Sequence, residues 1–179
     1  MAPRPEPLTV VGAGALECPG HGCRCSRPPF ESGLTVNCSN LNSERVQHDV
    51  VRLLPRNTKI LFLERDKLER LPGPIGSQLA LHALKLGGNQ IEYISRGAFR
   101  SQQALVSLDL SNNNLRTLPD MAFQGLASVY DIALDRNRFQ YIPINSLTYL
   151  TSMRRLDLDY NRISSVHNNL SKLKTINFL

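Results

Sequence analysis

The 179-residue sequence contains no run of about 18 apolar residues, so no part of it is expected to cross a membrane as a helix. It also lacks the motifs of common catalytic sites: there is no phosphate-binding loop, no His-Glu-x-x-His and no Gly-x-Ser-x-Gly. The histidines are scattered and do not share the spacing of metal ligands: His21, His48, His82 and His167. These absences argue against an enzyme, a metal site and a bound cofactor.

One carboxylate pair has to be weighed against that conclusion. Asp157 and Asp159 flank Leu158, and at strand spacing their positions would stand about 6–7 Å apart. The sequence implies no partner acid, base or pocket beside them. We interpret them as polar positions on an exposed strand and predict a non-catalytic protein.

Cysteine is missing from position 39 onward, and all cysteines lie near the amino terminus: Cys18, Cys23, Cys25 and Cys38. An even number suits two disulfides formed in an oxidising compartment. Zinc is the alternative, but Cys-x4-Cys-x-Cys-x12-Cys lacks the paired Cys-x2-Cys spacing of common zinc modules. Spacing alone does not choose among the three possible disulfide pairings.

Acidic residues are in the minority, with 15 Asp and Glu against 21 Lys and Arg and a formal net charge of +6. That balance permits anionic partners such as sulfated glycans, bacterial envelopes or nucleic acid. A mildly basic solvated surface explains it more simply, and we predict no nucleic-acid partner.

The first 57 residues differ in character from the rest of the chain. Residues 1–17 are interpreted as a leader or flexible tail that contributes nothing to the fold, with Ala13-Gly14-Ala15 similar to a cleavage site. Residues 18–57 are predicted to form a cysteine-rich cap with a strand at 34–38 and room for a short helix within 41–54.

A pattern of about 24 residues recurs along the remainder. Residues 105–126 read L-x-x-L-x-L-x-x-N-x-L-x-x-L-P-x-x-x-F-x-x-L, and the same register fits upstream and downstream. A strict period of this length is typical of a solenoid. We place five coils and a partial sixth over residues 58–179, beginning at Thr58, Leu81, Leu105, Val129, Met153 and Leu173.

Within a coil, alternation at strand spacing sends Leu108 and Leu110 to one side and Asp109 to the other. Strands this short need neighbours, so stacked coils are expected to form a parallel sheet. A ladder of buried asparagines should satisfy backbone groups where each coil bends, and an inner column should pack behind it: Asn89, Asn113, Asn137, Asn161; Phe99, Phe123, Leu147. Asp66 takes the asparagine place in the first coil, and the ladder should be weaker there because an ionised aspartate cannot donate.

These repeats and the cysteine cluster before them resemble the extracellular class of leucine-rich repeat proteins. Arg56-Asn57-Thr58-Lys59-Ile60-Leu61, entering the first repeat, is most similar to a variable lymphocyte receptor or a relative. The resemblance implies an α/β solenoid, a horseshoe with parallel β-strands on its concave face and a disulfide-bonded amino-terminal cap. It also implies the bonds Cys18–Cys25 and Cys23–Cys38. The loop from 25 to 38 is long for the family, and no carboxy-terminal cysteine cap follows.

The outward strand positions should form the working surface, because curved solenoids commonly bind through their concave face. Tyrosine and arginine most often anchor interfaces, which favours the last two full coils. The candidate ligand-binding residues are His82, Lys85, Asp109, Tyr130, Asp131, Arg154, Arg155, Asp157 and Tyr160. Two glycosylation sequons begin at Asn37 and Asn169, and Asn169 is the better candidate because Asn37 adjoins a cap cysteine.

We therefore predict an extracellular, non-catalytic recognition module that binds a protein or glycan, with immune recognition as one setting. The alternatives are an extracellular matrix or adhesion scaffold, a receptor ectodomain fragment, and a binder of sulfated glycans or envelopes through basic charge. Ile176, Phe178 and Leu179 end in an incomplete coil, so we also expect either self-association or a further segment covering that end.

Overall fold

The computed structural model describes residues 18, 22–27, 33–41, 53–71, 75 and 79–164. Seven short strands lie side by side in one sheet, in chain order. Their bounds are β1 Arg24–Ser26, β2 Leu34–Asn37, β3 Thr58–Phe62, β4 Ala83–Lys85, β5 Ser107–Asp109, β6 Asp131–Ala133 and β7 Arg155–Asp157. A one-turn helix, α1, spans Ile144–Leu147 on the side of the coil away from the sheet.

The sheet confirms the predicted stacking of one coil on the next. Strands β2 to β7 pair in parallel, while β1 pairs antiparallel with β2. The inward residues of successive strands are in register, Leu84 beside Leu108, Ile132 and Leu156. A strand of three residues cannot hold itself, so its hydrogen bonds to the coils on either side are what make it a strand.

The core lies between this sheet and the outer part of each coil. Leu61, Leu84 and Ile132 are fully buried, as is the inner aromatic column. The ring centroids of Phe99 and Phe123 lie 6.2 Å apart, and Leu147, on helix α1, is buried one period further on. The predicted second column of core residues is confirmed, and it joins the coils into one continuous apolar interior.

The asparagine ladder is also confirmed. Asn113 accepts from the Ile91 amide at 3.0 Å and donates through Nδ2 to the carbonyls of Leu86, Leu110 and Ser111 at 3.0–3.1 Å. Asn89, Asn137 and Asn161 repeat the arrangement in their own coils. Each ladder amide therefore ties its own coil to the preceding one.

At the amino-terminal end, the structure contains the disulfides Cys18–Cys25 and Cys23–Cys38, the pairing that the family resemblance implies. Strand β2 already follows the solenoid register, since the Cys38 amide donates to the Phe62 carbonyl at 2.9 Å. The division into a tail, a cap at 18–57 and repeats from 58 stays a prediction. Residues 1–17, most of the candidate cap helix and the partial sixth coil lie outside the described residues.

Within the described ranges, no helix has the length and apolar character needed to cross a lipid bilayer.

Candidate binding site

The sheet presents one continuous outward face, because alternate residues of each strand point away from the core. Two columns of outward side chains follow from the strand register. One contains Ala83, Ser107, Asp131 and Arg155, and the other contains Lys85, Asp109, Ala133 and Asp157. We call the outward residues of β4 to β7, together with the residues next to the strand ends, the sheet face.

A third column lies just before the strands and is held by backbone hydrogen bonds. The Val106 amide donates to the His82 carbonyl, Tyr130 to Val106 and Arg154 to Tyr130, at 2.8–2.9 Å. Val106 is 46% exposed and Tyr130 50% exposed. An apolar and aromatic edge therefore runs along one side of the sheet face, open to contact.

A fourth column lies beyond the strands, where the backbone turns through the left-handed region. Gly88, Asn112, Arg136 and Tyr160 have φ of 71°, 51°, 53° and 54°. The Arg136 guanidinium carbon sits 4.6 Å from the centroid of the Tyr160 ring, in cation–π contact. Tyr160 is 75% exposed, so most of this side chain is available to a partner.

Four aspartates surround the small side chain of Ala133. Asp109 and Asp157 are its register partners on the adjacent strands, and Asp131 and Asp135 lie two residues away along the chain on the same face. Burial raises the pKa of Asp135 from its usual value, and the charges of Asp157 and Asp109 raise it further. The centre of the sheet face is thus acidic although the chain as a whole is basic.

Two arginines partly offset that charge. Arg155 Nε lies 3.7 Å from Asp131 Oδ1, and Arg136 Nε lies 3.8 Å from Asp135 Oδ2, and both arginines are largely exposed. Among described residues, Asp109, Asp157 and Asp159 form no ion pair, and Asp109 and Asp157 accept only from nearby backbone amides at 2.9–3.0 Å. Their charge is therefore left for solvent or a partner to balance.

The structure places all nine candidate binding residues on this face. His82, Tyr130 and Arg154 fall in the edge column, and Tyr160 lies at the opposite edge; Lys85, Asp109, Asp131, Arg155 and Asp157 lie between them. Lys85 Nζ also donates to Ser107 Oγ at 3.1 Å. The structure brings the nine together, while their role in binding stays a prediction.

Sequence reasoning left three residues of this face out of the candidate set: Val106, Asp135 and Arg136. Val106 and Asp135 occupy outward positions of the same register, and the 24-residue spacing from Arg136 to Tyr160 could have indicated their contact. Charge was judged over the whole chain, and this hid the acidic centre.

The remaining predicted sites are separate. Asn37 is exposed and its Oδ1 accepts from the Ser39 amide at 2.9 Å, so the neighbouring disulfide does not bury it; Asn169 lies outside the described residues. In the described part of the chain, no group of three or more His, Cys, Asp or Glu residues is placed to hold a metal ion. An open cavity of about 790 Å³ lies away from the sheet face, beside Arg70, Tyr93 and Arg96, and contains none of the nine candidates.

A parallel-strand solenoid with an asparagine ladder and a disulfide-bonded amino-terminal end is the architecture of a leucine-rich repeat protein, and this chain has that fold. The leucine rich repeat family model matches residues 80–139.

Leucine-rich repeat-containing protein 3B from Bos taurus, Mus musculus and Homo sapiens is 37% identical over 87 residues in each case. The match covers 48% of this chain and 30% of each relative, so the chain spans less than a third of the curated relatives it matches. A chain in the crystal structure of the TLR13–ssRNA13 complex superposes with a TM-score of 0.68 at 28% identity, over 78% of this chain and 20% of that one.

Proposed function

We propose that this chain is a non-catalytic extracellular recognition module that binds a protein or glycan through the sheet face. The observation that carries the proposal is the concentration of exposed Tyr130, Tyr160, Arg154 and Arg155 on one open, rigid sheet. Exposed aromatic and arginine side chains supply most of the binding energy in protein interfaces. A sheet held by the asparagine ladder presents them with little conformational entropy left to lose.

The extracellular setting is supported by the two disulfides, since such bonds persist where the environment is oxidising. Immune recognition and the closer kinship with variable lymphocyte receptors are the finer part of the proposal, and they rest on the sequence resemblance. A matrix or adhesion scaffold and a receptor ectodomain would use the same face, and the identity of the ligand distinguishes these settings.

The charge of the sheet face favours a partner that brings basic groups. The carboxylates around Ala133 repel phosphate, while lysine and arginine side chains would complete the unpaired Asp109 and Asp157. The TLR13 structure contains single-stranded RNA, but the acidic centre argues against the same ligand class here. It also argues against a sulfated glycan bound at the centre of the face.

The test begins by immobilising the chain against a panel of extracellular proteins and a glycan array. Every ligand found is then measured by biolayer interferometry on two triple variants. Tyr130→Ala, Arg154→Ala and Tyr160→Ala remove side chains from the sheet face, while Tyr93→Ala, Arg116→Ala and Met121→Ala remove exposed side chains elsewhere.

We expect the sheet-face variant to lose roughly 100-fold or more in affinity, because two or more interface anchors each contribute about 1–2 kcal/mol. The control variant should bind within about twofold of the unchanged chain. Equal binding by all three folded proteins would show that the sheet face is not the binding site.

A further inference from the structure

Asp66 is a titratable group inside the solenoid that the recognition function does not use. It is fully buried, with a relative exposure of 0%, and it occupies the ladder position filled by asparagine in the four coils that follow. Its own amide donates to Asn89 Oδ1 at 2.9 Å, which joins it to the next coil. On its other side, the Leu41 amide donates to Asp66 Oδ1 and joins it to the segment that follows β2.

The second carboxyl oxygen is the unusual feature. Asp66 Oδ2 is buried and has no hydrogen-bond partner among the described residues. In the other coils, this branch of the side chain is an amide nitrogen that donates to the carbonyl three residues earlier, as Asn89 does to Leu86 at 2.8 Å and Asn113 to Leu110 at 3.1 Å. By the same register, Asp66 Oδ2 belongs opposite the Leu63 carbonyl, where an acceptor would meet an acceptor.

We propose that the folded chain carries Asp66 as the neutral acid, whose Oδ2–H donates in place of the ladder amide, and that losing this proton loosens the joint between β2 and the first repeat. The proposal goes beyond ligand recognition, because it concerns how the amino-terminal end is held. A protonated carboxyl group has one donor and can still accept from Leu41 through Oδ1, so it can replace an asparagine at this position.

The electrostatic surroundings agree with this assignment. Burial raises the pKa of Asp66 from 3.8 to about 7, the Leu41 hydrogen bond lowers it, and the nearby charge of Glu64 raises it. The other described groups that contact the carboxyl from the β2 side and from the next coil are uncharged amides. Arg65 and Lys67 flank it in sequence but are exposed to solvent.

The backbone at this joint is also unlike that of later coils. Arg65 and Lys67, on either side of Asp66, both have φ of 57°. Each later coil has one such residue, at Gly88, Asn112, Arg136 and Tyr160, and the counterparts of Lys67 do not adopt it. Residues held in this region store strain, so a joint built from two of them is sensitive to the loss of one hydrogen bond.

The sign of the pH dependence follows from the direction of the shift. An acid whose pKa is higher in the folded chain than in the unfolded chain stabilises the fold fully below pH 4, and this contribution is lost as the pH rises through about 7. The joint should therefore be tightest in acid and loosest above neutral pH, with most of the change between about pH 4 and 7.

The direct test is a carbon-13 NMR titration of the Asp66 carboxyl carbon in the intact chain. We expect a midpoint near pH 7. A midpoint near pH 4 would overturn the proposal, because the buried group would then be ionised at neutral pH.

The second test compares the chain with Asp66→Asn, using Asp159→Asn on the exposed face as the matched control. Amide exchange at Cys38 and Asn40, corrected for intrinsic rates, should be protected roughly 100-fold less at pH 8 than at pH 5 in the unchanged chain and in the control. Asp66→Asn should abolish that difference and should melt at a higher temperature at pH 8. An Asp66→Asn chain that fails to fold, or that keeps the pH dependence, would contradict the proposal.

Discussion

Single side chains at fixed intervals hold this solenoid, and Asn113 shows how much one of them does. Replacing it with alanine removes four hydrogen bonds and leaves the backbone groups of three coil segments buried and unpaired. We expect Asn113→Ala to lower the free energy of unfolding by about 2–4 kcal/mol, since each unsatisfied buried group costs about 1–3 kcal/mol. Urea denaturation measures the change. Gln103→Ala, at an exposed position, is the control, and an equal effect from both would contradict the structural role of the ladder.

Two glycines allow a second prediction at this scale, because they differ in the space around them. Gly125 has φ of 98°, and a Cβ atom there would lie 2.5 Å from the Arg100 carbonyl oxygen; Gly97 has φ of 64°, with its nearest contact at 3.8 Å. Gly97→Ala should cost only the backbone conformation, about 1 kcal/mol, whereas Gly125→Ala should cost at least about 2 kcal/mol more. Thermal unfolding of the two variants checks the order, and a reversal would show that the Arg100 contact is not restrictive.

Sequence reasoning succeeded at the residue scale where a position repeats. Asn89, Asn113 and Phe123 could be assigned because the same requirement recurs every coil. Arg65, Lys67 and Arg136 adopt left-handed backbone conformations without a glycine or other residue type that would have signalled them. Gln102 was also missed: its side chain bridges the Ile75 carbonyl and the Leu81 amide, but it occurs in one coil and leaves no periodic signal.

At the scale of elements, the two disulfides connect the first strands to the repeats in different ways. Cys23–Cys38 closes a separation of 15 residues and involves a fully buried cysteine at the end of β2, whereas Cys18–Cys25 closes a separation of 7 between less buried residues. We expect Cys23→Ala with Cys38→Ala to lower stability by about 3 kcal/mol and the other pair by about 2 kcal/mol. Urea midpoints of the two double variants measure this, and a larger loss from the first disulfide would show that β1 anchors the end instead.

The strands themselves were predictable because Leu-x-Leu spacing and the 24-residue period together determine both direction and register. The antiparallel pairing of β1 with β2 was not predictable, since it depends on how the disulfides fold the amino-terminal segment. The acidic centre of the sheet face needed the register as well as the sequence. Asp109, Asp131 and Asp157 are 22–26 residues apart in the chain, and only stacking brings them around Ala133.

At the scale of the whole molecule, charge is distributed unevenly. The chain is basic overall with a net charge of +6, yet the sheet face is acidic at its centre. A ten-residue lysine-rich peptide should bind this face, and Asp109→Asn with Asp157→Asn should weaken that binding severalfold. Fluorescence anisotropy at low ionic strength measures the affinity, with Glu92→Gln and Asp120→Asn as a charge-matched control. Equal losses in the two double variants would show that the peptide responds only to net charge.

The central claim is that the ligand lies against the sheet face, and a photo-crosslinking residue tests it most directly. Benzoylphenylalanine placed at Ala133, in the middle of that face, should crosslink to any ligand identified for the chain, while the same residue at Met121, exposed elsewhere, should not. Mass spectrometry of the irradiated complexes locates the crosslink. A product from position 133 alone is the predicted result, and a product from position 121 alone would contradict the assignment of the binding face.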